Sequence, residues 1–136
     1  MHSTVKNLSD IQNNINIHLN KLNILSNPKI VAVSKTFTID KILPLIQHGH
    51  IDYGENKGQE AVEKWTETKK NNPLIRLHMI GKLQTNKVKF AVKIFDYIHS
   101  IDSIKLAKKI SDEQNKIDKK IKIFLQVNIG NENQKS

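Results

Sequence analysis

The chain has 136 residues, of which 38% are hydrophobic and 26% charged, a balance typical of a globular protein. This length favours one domain over residues 1–136. The chain has no cysteine, which excludes disulfides, thiolate metal sites and cysteine nucleophiles. No apolar run approaches the roughly 20 residues that span a bilayer, and the N-terminus shows no signal-peptide pattern. We therefore expect a cytoplasmic protein without a membrane span.

The net charge of +9 raises the hypothesis of a lysine-rich nucleic-acid-binding protein. Arg76 is the only arginine, however, and the lysines are spread from Lys6 to Lys135. Arginine is the side chain that holds phosphates and guanines through two parallel hydrogen bonds. We therefore predict no nucleic-acid partner and keep this class as the weakest alternative.

The first predicted element is a long amphipathic helix, because apolar residues recur every three or four positions from Val5 to Leu22. It is expected to end near Pro28, since proline disfavours helix in the residue before it. The run Ile30–Val33 that follows is uniformly apolar and β-prone. Such a run predicts a short strand buried on both faces, as in parallel sheets.

Helices and strands alternate through the rest of the chain. Thr38 is the predicted N-cap of the second helix and Gly49 its end, although Pro44 inside it costs about 3 kcal/mol. Further strands are expected at about 50–53, 77–80, 97–99 and 121–129, and helices at about 59–70, 86–95 and 104–115. This order implies a parallel sheet with right-handed crossovers. Five units leave two architectures open, part of a TIM-type (β/α)8 barrel or an open doubly wound sheet.

Lys35 follows the first predicted strand, at the end of a parallel sheet where ligands bind. A neutral lysine amine is the nucleophile that forms a Schiff base with a carbonyl compound. The alternative is ordinary, because many lysines after a strand only mark the return of the chain to solvent.

Polar side chains follow every predicted strand. They are Ser34, Lys35 and Thr36 after the first, Glu55 and Asn56 with Gly54 after the second, His78 with the turn Gly81–Lys87 at the third, His99, Ser100 and Asp102 at the fourth, and Asn128 at the fifth. Each has an ordinary role as a cap, a turn residue or a hydrogen-bonded histidine. Their convergence on one rim of the sheet nevertheless predicts a binding site. The histidines lack metal-ligand spacing, and no nucleotide-binding glycine fingerprint is present.

Five motifs carry a family resemblance. They are Ile30-Val31-Ala32-Val33-Ser34-Lys35-Thr36, Asp52–Asn56 with Gln59-Glu60, His78–Lys87, Ile98–Ser103 and Gln126–Ile129. In order and spacing they resemble the pyridoxal phosphate homeostasis protein family. The resemblance implies a barrel like that of alanine racemase, with pyridoxal 5'-phosphate (PLP) as cofactor and no established catalytic activity. It implies that Lys35 holds the cofactor as a Schiff base and that Asn56, His78 and Ser100 lie around its ring.

The chain also departs from the family pattern. Leu77 and Lys82 stand where the family more often has tryptophan and histidine. The resemblance further implies three strands beyond residue 136, which supply the family's phosphate-binding loop and the arginine facing the pyridine nitrogen. We therefore expect an N-terminal helix and about five βα units of an incomplete barrel, truncated after the fifth strand. A complementing C-terminal fragment or self-association would then cover its open edges.

Two functional hypotheses follow from the resemblance. The first is a carrier or buffer in intracellular PLP homeostasis, without catalytic residues and without a metal. The second is a racemase- or decarboxylase-like enzyme of the same fold, in which His78 or Tyr53 moves the substrate proton.

Overall fold

The structure is a computed structural model, and it describes residues 1–130. The helices are α1 (Ser3–Lys21), α2 (Ile39–His48), α3 (Gly58–Asn71), α4 (Val88–Ile94) and α5 (Ile104–Lys116), with a short 3-10 turn at Thr85–Lys87. The strands are β1 (Ala32–Val33), β2 (Asp52–Glu55), β3 (Arg76–Met79), β4 (Tyr97–Ile101) and β5 (Lys122–Leu125). Over this range, none of the helices combines the length and the apolar character needed to cross a membrane.

The five strands form one parallel sheet whose spatial order is also their order in the chain. A doubly wound sheet reverses direction at a switch point, so this sequential order rules that architecture out. The arrangement is that of the first five βα units of a TIM-type barrel, as the resemblance implied. Within residues 1–130 the outer strands β1 and β5 do not pair with each other, so the barrel is open.

The hydrophobic core lies between the sheet and the helices packed against its outer face. Trp65, Leu77 and Phe95 are fully buried there, together with most of the apolar residues of α4. Truncating a buried aromatic side chain of this kind costs about 3–5 kcal/mol, because a cavity remains where it packed. This outer layer fixes the backbone that carries the polar side chains of the opposite, inner face.

β1 is shorter and less buried than its sequence predicted. Only Ala32 and Val33 pair as a strand, and Val33 is 51% exposed. The prediction that this run is buried on both faces is therefore wrong. β1 is an edge strand of the described sheet, and the apolar pattern that identified it cannot tell whether a second layer covers its inner face.

β2 extends two residues further than predicted, because Gly54 and Glu55 belong to the strand rather than to a turn. A Cβ atom at Gly54 would lie only 3.0 Å from the side chain of Ile80. The side chains of Ile80 and Val31 fill the space beside Gly54, so a larger residue would have to displace them, and glycine is favoured here by close packing rather than by turn geometry.

The predicted helices are present, with corrected ends. α1 ends at Lys21 rather than near Pro28. α2 begins after Thr38, runs through Pro44 and ends at Gly49, whose φ of +99° is a left-handed conformation that glycine adopts without strain. Ser103 caps α5 by accepting a hydrogen bond from the Leu106 amide, a role that the sequence suggested for its neighbours Ser100 and Asp102.

Candidate functional site

A chain of polar side chains crosses the inner face of the sheet from β2 to β4. Arg76 donates two hydrogen bonds to the carboxylate of Asp52, at 2.9 and 2.8 Å. The same carboxylate lies 2.8 Å from His78 Nε2, and His78 Nδ1 lies 2.9 Å from His99 Nε2. The strands place these residues together because their side chains alternate between the two faces of the sheet.

The carboxylate fixes the direction of this hydrogen-bond chain. An ionised Asp52 can only accept, so His78 donates from Nε2. When both rings are neutral, His78 Nδ1 accepts the Nε2 proton of His99, and His99 Nδ1 is left as an acceptor. Burial and the neighbouring His78 both lower the pKa of His99, which favours this neutral form.

Aromatic rings pack beside the two histidines. His78 stacks on Tyr97 with ring centroids 4.3 Å apart, and His99 lies against Phe124 at 4.5 Å. Phe124 is 52% exposed, so this side of the cluster faces open space on the inner face of the sheet. A planar ring compound with polar substituents suits a surface of this composition.

A second polar group lies on the rim, at the carboxyl ends of β2, β3 and β4. A Cβ atom at Gly81 would lie 2.8 Å from the backbone oxygen of Asn56, so the two loops are in close contact. The hydroxyl of Ser100 donates to the Gly81 carbonyl oxygen at 2.7 Å. Asn56 and Gly81 also line a cavity of about 530 Å³ between these loops. The structure thus brings Asn56 and Ser100 together through Gly81.

Lys35 lies beside this rim and is exposed. Val33 of β1 is in register with Gly54 of β2, so Lys35 and Asn56, each two residues further along the chain, come at the same end of the sheet. Lys35 and Thr36 are the central residues of a turn closed by a 3.2 Å hydrogen bond from the Phe37 amide to the Ser34 carbonyl. The amine therefore projects from a turn, not from the strand itself.

Two polar residues predicted for the rim lie behind the sheet instead. Glu55 is 3% exposed, and its carboxylate accepts hydrogen bonds from Ser34, Lys64 and Trp65. Strand alternation explains the difference, because Ser34 and Glu55 point toward α3 while their neighbours point toward the inner face. Because β2 continues through Gly54 and Glu55, the alternation places the glutamate side chain on the outer face.

Tyr53 is also turned away from the site. It is fully buried against Trp65, with centroids 4.9 Å apart, and its hydroxyl donates to the His50 carbonyl. Burial raises the pKa of Tyr53, so the group stays protonated. The hypothesis that Tyr53 moves a proton at the cofactor is therefore wrong.

Asp52 and Arg76 were missed as members of the inner network. The available signal was their position at the start of two neighbouring strands, two residues before Gly54 and His78 respectively. An acid and a base on the same face of adjacent strands form a cross-strand pair. Ligand sites in parallel sheets lie at the carboxyl ends of the strands, so that rule does not single out residues at the amino-terminal ends.

We expect the stabilisation that Asp52 provides to be lost in acid. Burial opposes ionisation of Asp52, but hydrogen bonds from Arg76 and His78 outweigh it and lower the pKa below the ordinary 3.8. A group whose pKa is lower in the folded state stabilises the fold above its unfolded pKa, and the stabilisation disappears as pH falls through the folded pKa. At pH 7, Asp52→Asn should lower the free energy of unfolding by about 3 kcal/mol.

Urea denaturation as a function of pH measures this effect. The difference between wild type and Asp52→Asn should shrink below about pH 4, where the Asp52 carboxyl begins to protonate in the unfolded chain but not yet in the folded protein. Asp10 is a matched control, because it forms an exposed ion pair with Lys6, and Asp10→Asn should change stability by less than about 0.5 kcal/mol. A difference that is unchanged between pH 7 and pH 3 would contradict the expectation.

Comparison with known families gives one match that covers nearly the whole chain. Residues 7–133 match the model of the family described as alanine racemase, N-terminal domain. Curated relatives named pyridoxal phosphate homeostasis protein include one from Pasteurella multocida, 33% identical over 132 residues, and one from Buchnera aphidicola, 38% identical over 127 residues. These alignments cover 96% and 93% of this chain but 57% and 55% of the relatives. The chain thus spans about half the length of the curated relatives that it matches.

Solved structures agree with this match. PipY of Synechococcus elongatus, solved with PLP bound, is 35% identical and superposes with a TM-score of 0.70 over 82% of this chain and 53% of its own. PipY without PLP gives a TM-score of 0.71. A crystal structure described as an unknown protein from Bifidobacterium adolescentis is 28% identical, with a TM-score of 0.82 over 94% of this chain.

Proposed function

Because the chain belongs to the family of the alanine racemase N-terminal domain, we propose that it binds PLP through Lys35 and acts in PLP homeostasis as a carrier or buffer. The observation that carries this proposal is the exposed amine of Lys35 at the carboxyl end of β1, beside the polar rim. The Lys35 nitrogen would add to the cofactor aldehyde carbon and water would leave, which forms one C=N bond. A cytoplasmic location is part of the proposal.

The other residues around Lys35 fit the polar and aromatic parts of such a cofactor. Asn56 and Ser100 belong to the rim group at the ends of neighbouring strands. His78 is 6% exposed and lies deeper on the inner face, between Asp52 and His99. We propose that Asn56 and Ser100 line the ring edge and that His78 acts mainly by holding the inner network together.

Reconstitution followed by reduction tests the proposal. Purified protein mixed with PLP should develop the absorption band of a Schiff base, and borohydride should then fix the cofactor irreversibly. Peptide mapping should find the label at Lys35, the lysine that the proposal assigns to the cofactor and that follows β1 at the carboxyl end of the sheet. A label confined to other lysines, or no stable label at all, would contradict the proposal.

We propose that no substrate is turned over. Racemisation and decarboxylation with this cofactor require groups positioned to move a proton at the substrate carbon. His78 already uses both ring nitrogens, one toward Asp52 and one toward His99. Incubating the PLP-loaded protein with single L-amino acids and analysing the products by chiral chromatography separates the two hypotheses. Formation of the D-amino acid above the rate with free PLP would favour the enzyme.

The open edges of the sheet support a further part of the proposal. All four residues of β5 are exposed, including Phe124 and Leu125 at 52% and 69%. Apolar edge strands tend to pair with another chain or segment. We propose that a complementing C-terminal segment, or failing that a second copy of the chain, covers this edge. The proposal includes no nucleic-acid partner and no membrane partner.

A further inference from the structure

The turn that carries Lys35 is attached to α3 by a buried ion pair on the outer side of the sheet. Lys64 donates to the Glu55 carboxylate at 2.8 Å and to the Ser34 carbonyl oxygen at 2.5 Å. The Ser34 hydroxyl also donates to Glu55, at 2.5 Å. The side chains of Lys64 and Glu55 are 14% and 4% exposed, so solvent screens these contacts only weakly.

The Ser34 carbonyl has two roles in this arrangement. It accepts the Phe37 amide and so closes the turn over Lys35 and Thr36, and it also accepts the Lys64 ammonium. A charge-assisted hydrogen bond is stronger than a neutral one, so Lys64 restrains this carbonyl more firmly than the turn bond alone. The residue before Lys35 is thereby fixed to the helix layer.

The residue after Lys35 has an unfavourable backbone conformation. Thr36 has φ of +68°, in the left-handed region. β-Branched residues adopt this region rarely. In a four-residue turn with positive φ at the third residue, that residue is usually glycine or asparagine. Such strain persists only where surrounding contacts over-determine the backbone, and it concentrates at functional sites. Here the surrounding contacts are those of Ser34 with Glu55 and Lys64.

We propose that Lys64 and Glu55 are positioning residues that hold the turn Ser34–Phe37 in the conformation that presents the Lys35 amine. The inference rests on the proposed function of Lys35. Both residues lie on the outer side of the sheet, so the role proposed for them is to hold the turn rather than to contact the cofactor. Their effect is transmitted through the Ser34 carbonyl, and loss of the ion pair lets the turn relax and misplaces the amine.

α3 offers a matched control for this effect. Lys69 is also a mostly buried lysine that donates to one carbonyl and one carboxylate, those of Ile94 and Asp96, at 2.9 and 2.6 Å. Its side chain is 18% exposed, close to the value for Lys64. Lys64→Met and Lys69→Met therefore remove comparable contacts from the same helix, but only the first contacts the Lys35 turn.

Two readouts distinguish positioning from a purely structural role. The first is the rate of Schiff-base formation with PLP, measured by absorbance and by borohydride trapping at Lys35. We expect Lys64→Met to slow it on the order of tenfold or more, because small misplacements of a reacting group have large effects, and Lys69→Met to leave it near wild type. The second is amide hydrogen exchange of Phe37 without cofactor, which should accelerate in Lys64→Met alone.

The outcomes distinguish failure of the positioning inference from failure of the proposed function of Lys35. Equal rates of Schiff-base formation and equal Phe37 exchange in both variants would overturn the positioning inference. If wild type forms no Schiff base at Lys35, the proposed function fails, while the Phe37 exchange still shows whether Lys64 holds the turn. Should Lys64→Met not fold, Glu55→Gln compared with Asp96→Asn gives the same test, because the amide keeps the shape of Glu55 and removes its charge.

Discussion

Replacing Lys35 with alanine is expected to abolish the Schiff-base band that PLP produces with the wild-type protein. Lys35 is the lysine that follows β1 beside the rim formed by Asn56, Gly81 and Ser100, whereas Lys57, Lys82 and Lys87 belong to the loops after β2 and β3 and line the adjoining cavity. Lys35 is exposed, so its removal should change the free energy of unfolding by less than about 0.5 kcal/mol. Absorbance titration with PLP measures the loss, and circular dichroism should show unchanged helix content.

Lys41 provides the control for this result. It is an exposed lysine on α2, and it lines a separate cavity of about 390 Å³ together with Phe37 and Ile42. Lys41→Ala should keep the band and the borohydride label at Lys35. Survival of the band in Lys35→Ala would show that the cofactor attaches elsewhere, even if the family assignment is right.

The architecture was predictable because each element carried its own periodic signal. Apolar residues at helical spacing predicted α1, and the alternation of helix and strand predicted a parallel sheet. The periodicity did not decide between a barrel and a doubly wound sheet, since both use the same units. The family resemblance of the five ordered motifs favoured the barrel, and the sequential order of the strands in the sheet confirmed it.

The candidate site was predictable only in part, because sequence position shows which strand a residue follows but not which way it points. Lys35, Asn56 and Ser100 do lie at the carboxyl ends of their strands. Glu55 stands between Gly54 and Asn56, yet it faces α3 and contacts Lys64. Side chains alternate between the two faces only while the strand continues, so the direction of Glu55 depends on β2 extending two residues beyond its predicted end.

Burial of the inner face was the other property that sequence could not give. A run such as Ile30–Val33 is equally apolar whether or not a layer covers its second face. In the structure Val33 and Phe124, at the two edges of the sheet, are each about half exposed, at 51% and 52%. Their exposure depends on what pairs with β1 and β5, which is a property of the assembly rather than of the local sequence.

The 136-residue chain on its own is expected to bind PLP weakly and reversibly. In TIM-type barrels the phosphate is typically held by loops after the last two strands, whereas the described sheet has five strands. Loss of two charge-assisted phosphate contacts, each worth about 1.5–3 kcal/mol, weakens binding about a hundredfold or more. The cofactor would then be held mainly by its bond to Lys35.

A titration against a longer relative measures this difference. The PipY protein of Synechococcus elongatus is the reference, because this chain covers 53% of it and it has been solved with PLP bound. We expect the dissociation constant of PLP to be at least about a hundredfold higher for the 136-residue chain than for PipY. Adding the separately expressed C-terminal half of PipY should lower that constant if the segment pairs with β1 and β5. Submicromolar binding by a monomer that unfolds cooperatively would contradict the expectation, because it would mean that five strands hold the cofactor without a phosphate loop.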